Sequence, residues 1–97
     1  MALKRFKVTI GAAATQVTAT RTPCRHAIIE ADDGNSNAAF VGTSDVTSAN
    51  GIRLNNSATA PGRMEIGPFS GDAPFNLSEV YVAGTLNETV NVLAVTH

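Results

Sequence analysis

Asn37-Ala-Ala-Phe-Val-Gly-Thr-Ser-Asp-Val-Thr-Ser-Ala-Asn-Gly-Ile-Arg-Leu54 decides the fold of this chain. Ala38 to Thr43 reads as a strand around Phe40 and Val41. Asn50-Gly51 is the strongest hairpin dipeptide present, and Ile52 to Leu54 resumes as a brief strand. Downstream, Asn55 to Gly62 is a loop of small and polar residues that ends in Pro61-Gly62. Arg63-Met-Glu-Ile66 then alternates into Gly67-Pro68, and Ser70 to Pro74 makes a wide corner. Leu77 to Ala83 and Thr89 to Val95 close the domain. The latter places Val90 and Val92 on one face and Leu93 and Val95 on the other, so it is central in its sheet or covered by another subunit.

Upstream the same period of two holds. Phe6, Val8 and Ile10 alternate with Arg5, Lys7 and Thr9, which predicts a half-buried strand broken by Gly11. Residues 15 to 20 predict a second strand, short or at an edge. Pro23 has no N–H to give to a ladder and belongs at a strand start. Cys24 to Ala31 is a third strand, buried on both faces near Ile28 and Ile29, and Asp32-Asp-Gly-Asn-Ser-Asn37 is a turn. About seven to eight short strands with turn signals every 8 to 12 residues or so predict an all-β chain, a single small antiparallel β-sandwich of jelly-roll type. Residues 1 to 97 form one domain, and residues 1 to 22 are its first strands or an arm that contacts a neighbour.

Charged residues make up 15% of the chain, and the net charge is −1. A nucleic-acid binder needs a clustered basic face to neutralise phosphates, so that class is excluded. The basic residues are nonetheless asymmetric. Lys4, Arg5, Lys7, Arg21 and Arg25 precede the first acid, Glu30, and only Arg53 and Arg63 follow it. Lys4, Arg5 and Lys7 are therefore the candidate partner or intersubunit contact, a basic edge for an acidic surface or a neighbouring copy. No run is long and apolar enough for a membrane span, and the leading segment lacks the apolar core of a secretion signal.

Catalytic and metal-binding patterns fail on inspection. Cys24 and His26, two apart on a strand, share a face, but Cys24 is the only cysteine and His97 the only other histidine. Asp33, Asn35 and Asn37 supply the first oxygens of a calcium loop, yet Ala38 stands where glycine is required and Ser44 where the terminal glutamate belongs. Those residues have turn chemistry of their own. No cofactor motif is present, and no base, orienter and pocket combine into an active site. Phe69, Phe75 and Tyr81 are the candidate exposed aromatic contacts. The two phenylalanines equally suit the end of a core, and Tyr81 is expected to point away from Val80 and Val82.

The succession of a polar Asn turn, the Phe40-Val-Gly42 strand, the Val46 to Gly51 turn into Ile52-Arg-Leu54, a Gly-rich corner and a closing Val90-Asn-Val92 strand resembles small β-sandwich virion proteins of tailed phages. That group includes head decoration, cement, fibre and tail-associated proteins. The resemblance spans residues 23 to 97, loosely the first 22, and lies in turns rather than in site residues. It implies a noncatalytic decoration or cement protein that stabilises the head from the outer capsid surface after synthesis in the host cytoplasm. The implied partners are the major capsid protein and other copies of the chain, a trimer being preferred and a dimer the second choice. A tail or head-fibre component is the alternative within the group. A carbohydrate-binding module that stacks sugars on Phe69, Phe75 and Tyr81 is the alternative outside it.

Overall fold

The computed structural model describes residues 2 to 70 and 75 to 96. The corner expected over residues 70 to 74 falls largely outside these, as does His97. Sheet A orders β1 (Leu3–Thr9), β9 (Thr89–Thr96), β3 (Pro23–Ala31) and β6 (Arg63–Ile66), with β7 (Phe75–Asn76) paired to the start of β3. Sheet B orders β2 (Thr15–Gln16), β8 (Tyr81–Ala83), β4 (Ala39–Gly42) and β5 (Ile52–Leu54). All pairings are antiparallel.

The pairs are nested: β1 with β9, β2 with β8, β3 with β6, β4 with β5. The chain is thus one long antiparallel ribbon closed at the β4–β5 hairpin. It is wound so that β9 also pairs with β3 and β8 with β4. That winding makes the small β-sandwich a double-sheet jelly roll.

Period-two alternation supplies the core between the sheets. Val8, Cys24, Ala27, Ile29, Ala31, Val90, Val92 and Ala94 come from sheet A, and Ala39, Val41, Leu54 and Val82 from sheet B. Ile10, Val17, Leu77 and Val80 complete the cluster from the connections. Complete burial of a side chain such as Ile29, Leu54 or Leu77 contributes about 1.5–3 kcal/mol. Substituting one therefore removes a sizeable share of a small domain's stability.

Six predicted strands, β1, β3, β4, β5, β6 and β9, lie within a residue of where the sequence put them, and β3 begins at Pro23. The strand expected over Leu77 to Ala83 is instead a 3-10 turn at Leu77–Glu79 followed by β8. Asn76 diverts it. Its Oδ1 accepts from Ser78 N at 3.1 Å, Ser78 Oγ at 2.9 Å and Thr22 N at 3.0 Å, which offers the backbone an alternative to the ladder. β7, just before that segment, brings the count to nine strands.

Asn50-Gly51 does not form a two-residue hairpin turn. The ladder ends at Val41↔Ile52, so the pair closes a nine-residue loop, 43 to 51. There Asn50 Oδ1 accepts from Thr47 N at 2.7 Å, and Gly51 N donates to Thr47 O at 3.0 Å. Gly51 is required for space, because a Cβ would lie 2.7 Å from Phe40 Cβ and 2.8 Å from Val46 Cγ2. The loop lays Val46 over the outer face of sheet B, beside Phe40 and Gly42, where it is 4% exposed yet outside the main core.

Candidate functional site

Lys4, Arg5 and Lys7 lie on β1, which pairs with β9 from Leu3↔Val95 to Thr9↔Thr89. The leading segment is an edge strand of the chain's own sheet. Deleting residues 1 to 10 would remove buried Val8 and Ile10 and so would test folding before contact. Alternation also divides the three cations. Arg5 and Lys7 project from the outer face of sheet A, whereas Lys4 lies on the inward side, where its charge acts on the Cys24 thiol.

The registers arrange that outer face in cross-strand rows. Leu3, Val95 and His26 form the first row; Arg5, Leu93, Ile28 and Glu65 the second; Lys7, Asn91, Glu30 and Arg63 the third. Leu3 is 68% and Leu93 43% exposed. On the β3–β6 side, His26 Nε2 meets Glu65 Oε2 at 2.7 Å, and Arg63 Nε meets Glu30 Oε2 at 3.3 Å. Among the described residues no ion pair engages Arg5 or Lys7.

Cys24 and His26 do not share a face, contrary to the simple alternation. The β3–β9 register shifts between them, with Cys24 opposite Thr96 and His26 opposite Val95, so Arg25 is an extra residue. A bulge of this kind turns the strand by one side-chain step. Cys24 consequently points into the core, where burial pushes its thiol pKa up and its Sγ lies 3.2 Å from Thr22 O. His26 points outward to Glu65.

The Asp-rich turn spends its polar groups on structure. Asp32 Oδ2 accepts from Gly34 N at 3.1 Å and its Oδ1 from Asn91 Nδ2 at 3.1 Å. The Asn91 amide, and secondarily the Gly34 N–H, hold the Asp32 carboxyl below its ordinary pKa. Asn35 makes two hydrogen bonds to the Thr89 backbone, at 2.8 and 3.0 Å. Ser36 N and Asn37 N donate to the Glu88 carboxylate at 2.5 and 3.1 Å. Among the described residues no three His, Cys, Asp or Glu side chains cluster for a metal ion.

Nor are the aromatic candidates gathered. Phe69 is 47% exposed and meets Phe75 edge to face, with ring centroids 5.9 Å apart and planes at 69°. Phe75 is half-buried against the core rather than exposed. Tyr81 stands in sheet B, between Gln16 and Gly42, half-buried while Val80 and Val82 are buried. Phe75 instead joins Met64, Ile66, Val41, Ile52 and Val80 around an apolar opening of about 310 Å³ between the sheets.

A wider cleft of about 730 Å³ lies on the outer side of sheet B. Phe40, Val46 and Ala83 line it, with Arg53, Asp45 and the small residues 11 to 14. Sequence reasoning did not find this cleft or the rows that join Arg5 to Glu65. The available signal was β9, apolar on both faces. Comparison with protein-family models, curated proteins and solved structures found no match to this chain.

Proposed function

We propose that this chain is a noncatalytic virion structural protein, a jelly-roll sandwich that decorates or cements the outer surface of a phage capsid. Its partners are the major capsid protein and other copies of itself. The observation that carries the reading is the basic edge of a compact sandwich. Lys4, Arg5 and Lys7 are exposed on β1, while the Asp32 and Asn35 side chains of the Asp-rich turn are hydrogen-bonded within the fold. Many copies repeating a modest contact across a lattice gain avidity, so weak single interfaces still brace the shell.

Quantitative mass spectrometry of purified particles tests the proposal. A high, fixed ratio of this chain to the major capsid protein is expected. A handful of copies moves it to the tail or head fibre, and its absence from particles rejects a virion role. The sugar-binding reading loses its platform, because Phe69 and Phe75 meet edge to face and Tyr81 belongs to the other sheet. A glycan array is expected to stay silent.

A further inference from the structure

We infer that the free edge of β1 takes an extended acidic segment of a partner protein as an added antiparallel strand. The inference rests on the reading of β1 as the contact edge, and adds the chemistry of what that edge binds.

The backbone register sets out the site. Thr96 N donates to Ala2 O at 2.8 Å at one end of β1, and Ile10 N donates to Glu88 O at 2.8 Å at the other. Between them the β1–β9 register runs without a shift. Antiparallel strands exchange hydrogen bonds at every second residue. Lys4, Phe6 and Val8 therefore bond to β9, and Leu3, Arg5, Lys7 and Thr9 turn their N–H and C=O outward. β1 pairs with β9 alone, and among the described residues no backbone hydrogen bond from a turn or loop reaches those outward groups. A row of open donors and acceptors is a template for another strand. The other sheet edges are short, two residues in β2, three in β5 and four in β6, whereas β1 has seven.

Charge selects the occupant. Arg5 and Lys7 carry outward backbone groups and stand beside Leu93 and Asn91 of β9, neither of them anionic. Asp32 feels the charge of Lys7, but its carboxylate accepts from Asn91 and Gly34, and no ion pair engages either cation among the described residues. In a strand added to this edge, the residues opposite Arg5 and Lys7 have Cβ atoms about 4.5–5.5 Å from theirs. Carboxylates two positions apart would meet both cations. The residue between them falls opposite Phe6, which packs against the core, so an apolar side chain suits it. The pattern is acid, apolar, acid. A second copy is a poor occupant, because β1 laid antiparallel on β1 sets cations on cations, and Glu65 and Glu30 are already paired with His26 and Arg63. Basic residues on an edge discourage indiscriminate pairing, yet they leave it open to a strand of opposite charge.

A capped seven-residue peptide tests this, with glutamate at its third and fifth positions, valine at the second and fourth, and threonine elsewhere. Nuclear magnetic resonance of the whole isotope-labelled chain should show saturable binding, with amide exchange slowed at Arg5, Lys7 and Thr9 more than at Phe6 and Val8. A peptide with lysine in place of glutamate should bind about tenfold more weakly or worse. The variant R5E/K7E, shown to be folded by circular dichroism, should reverse that preference. Methylating the two glutamate backbone nitrogens removes donors that face β1 and should abolish binding. Methylating the two valine nitrogens, which face away, should leave it nearly unchanged. A folded wild type that ignores the acidic peptide at millimolar concentration overturns the inference, as do equal binding of both peptides, binding that survives glutamate methylation, and self-association through β1. Particles rich in a chain that ignores the peptide would reject only this inference, and binding by a chain absent from particles would reject only the virion role.

Discussion

The two sheets have opposite outer faces. On sheet B the outward residues of β4 are Phe40 and Gly42, and loop 43 to 51 folds back to bury Val46 against them. On sheet A the outward residues of β1 and β9 include Leu3 and Leu93, and no segment of the described chain returns over them. Both faces carry apolar side chains where a solvated sheet carries polar ones. One is covered by the chain's own loop, and the other is left open by the described chain. An apolar residue on the first face should therefore matter more for folding than one on the second.

The same substitution on each face separates the two roles. Val46→Asp buries a carboxylate in the cover of sheet B, where Val46 is 4% exposed. Burying an unpaired polar group is among the few changes that cost several kcal/mol, and a loss of about 2–4 kcal/mol is expected in urea unfolding. A loss below about 0.5 kcal/mol would mean that the loop lifts away freely, leaving the two faces alike.

Leu93→Asp is the counterpart. Leu93 is 43% exposed, so the change should shift unfolding by no more than about 0.5 kcal/mol. Unfolding on the scale of Val46→Asp would place Leu93 among the structural residues and remove the contrast.

Legibility in the sequence followed the range of the interaction. The period of two in Phe6-Lys-Val8 and Val90-Asn-Val92 depends only on neighbours, and it located β1 with its inward face and placed β9, whose two apolar faces it could not rank. Pro23 marked a strand start because its ring removes a donor locally. The Asn76 cap was harder, since its Oδ1 also accepts from Thr22, 54 residues away. The bulge at Arg25 was invisible, because two residues opposing one is a property of the β3–β9 pair and not of either strand. For that reason Cys24 and His26 were expected on one face. The rows that join Arg5 to Glu65 need three registers at once, so the basic residues could be named while their opposite margin could not. Gly51 was read for its turn chemistry, but its place is fixed by contact with Phe40 and Val46.

Both sheets are also tied together at one end, where Ser36 N and Asn37 N donate to the Glu88 carboxylate. These bonds join the turn before β4 of sheet B to the turn before β9 of sheet A. Hydrogen bonds to a charged acceptor contribute about 1.5–3 kcal/mol when buried, and less at an exposed site. Glu88→Ala should lower stability by about 1–2 kcal/mol, with Glu88→Gln intermediate because one acceptor oxygen remains. Faster amide exchange at Ser36 and Asn37, with Leu93 unaffected, would locate the loss in this tie. Equal stability of all three proteins would show that water replaces it.

The smallest expected effect lies a few residues away, at Asp32, on the sheet A side of the same turn. Its folded pKa is lowered, first by Asn91 and then by Gly34. Deprotonated Asp32 is thus favoured by the fold, and its contribution is fully present above the unfolded aspartate value of about 3.9. It is lost as pH falls through the lower folded value. Asp32→Asn removes the charge, so wild type should be slightly the more stable at pH 6, and the difference should shrink as both are unfolded in urea at successively lower pH below about 4. A difference that stays constant across that range would assign the effect of Asp32 to turn geometry instead of ionisation.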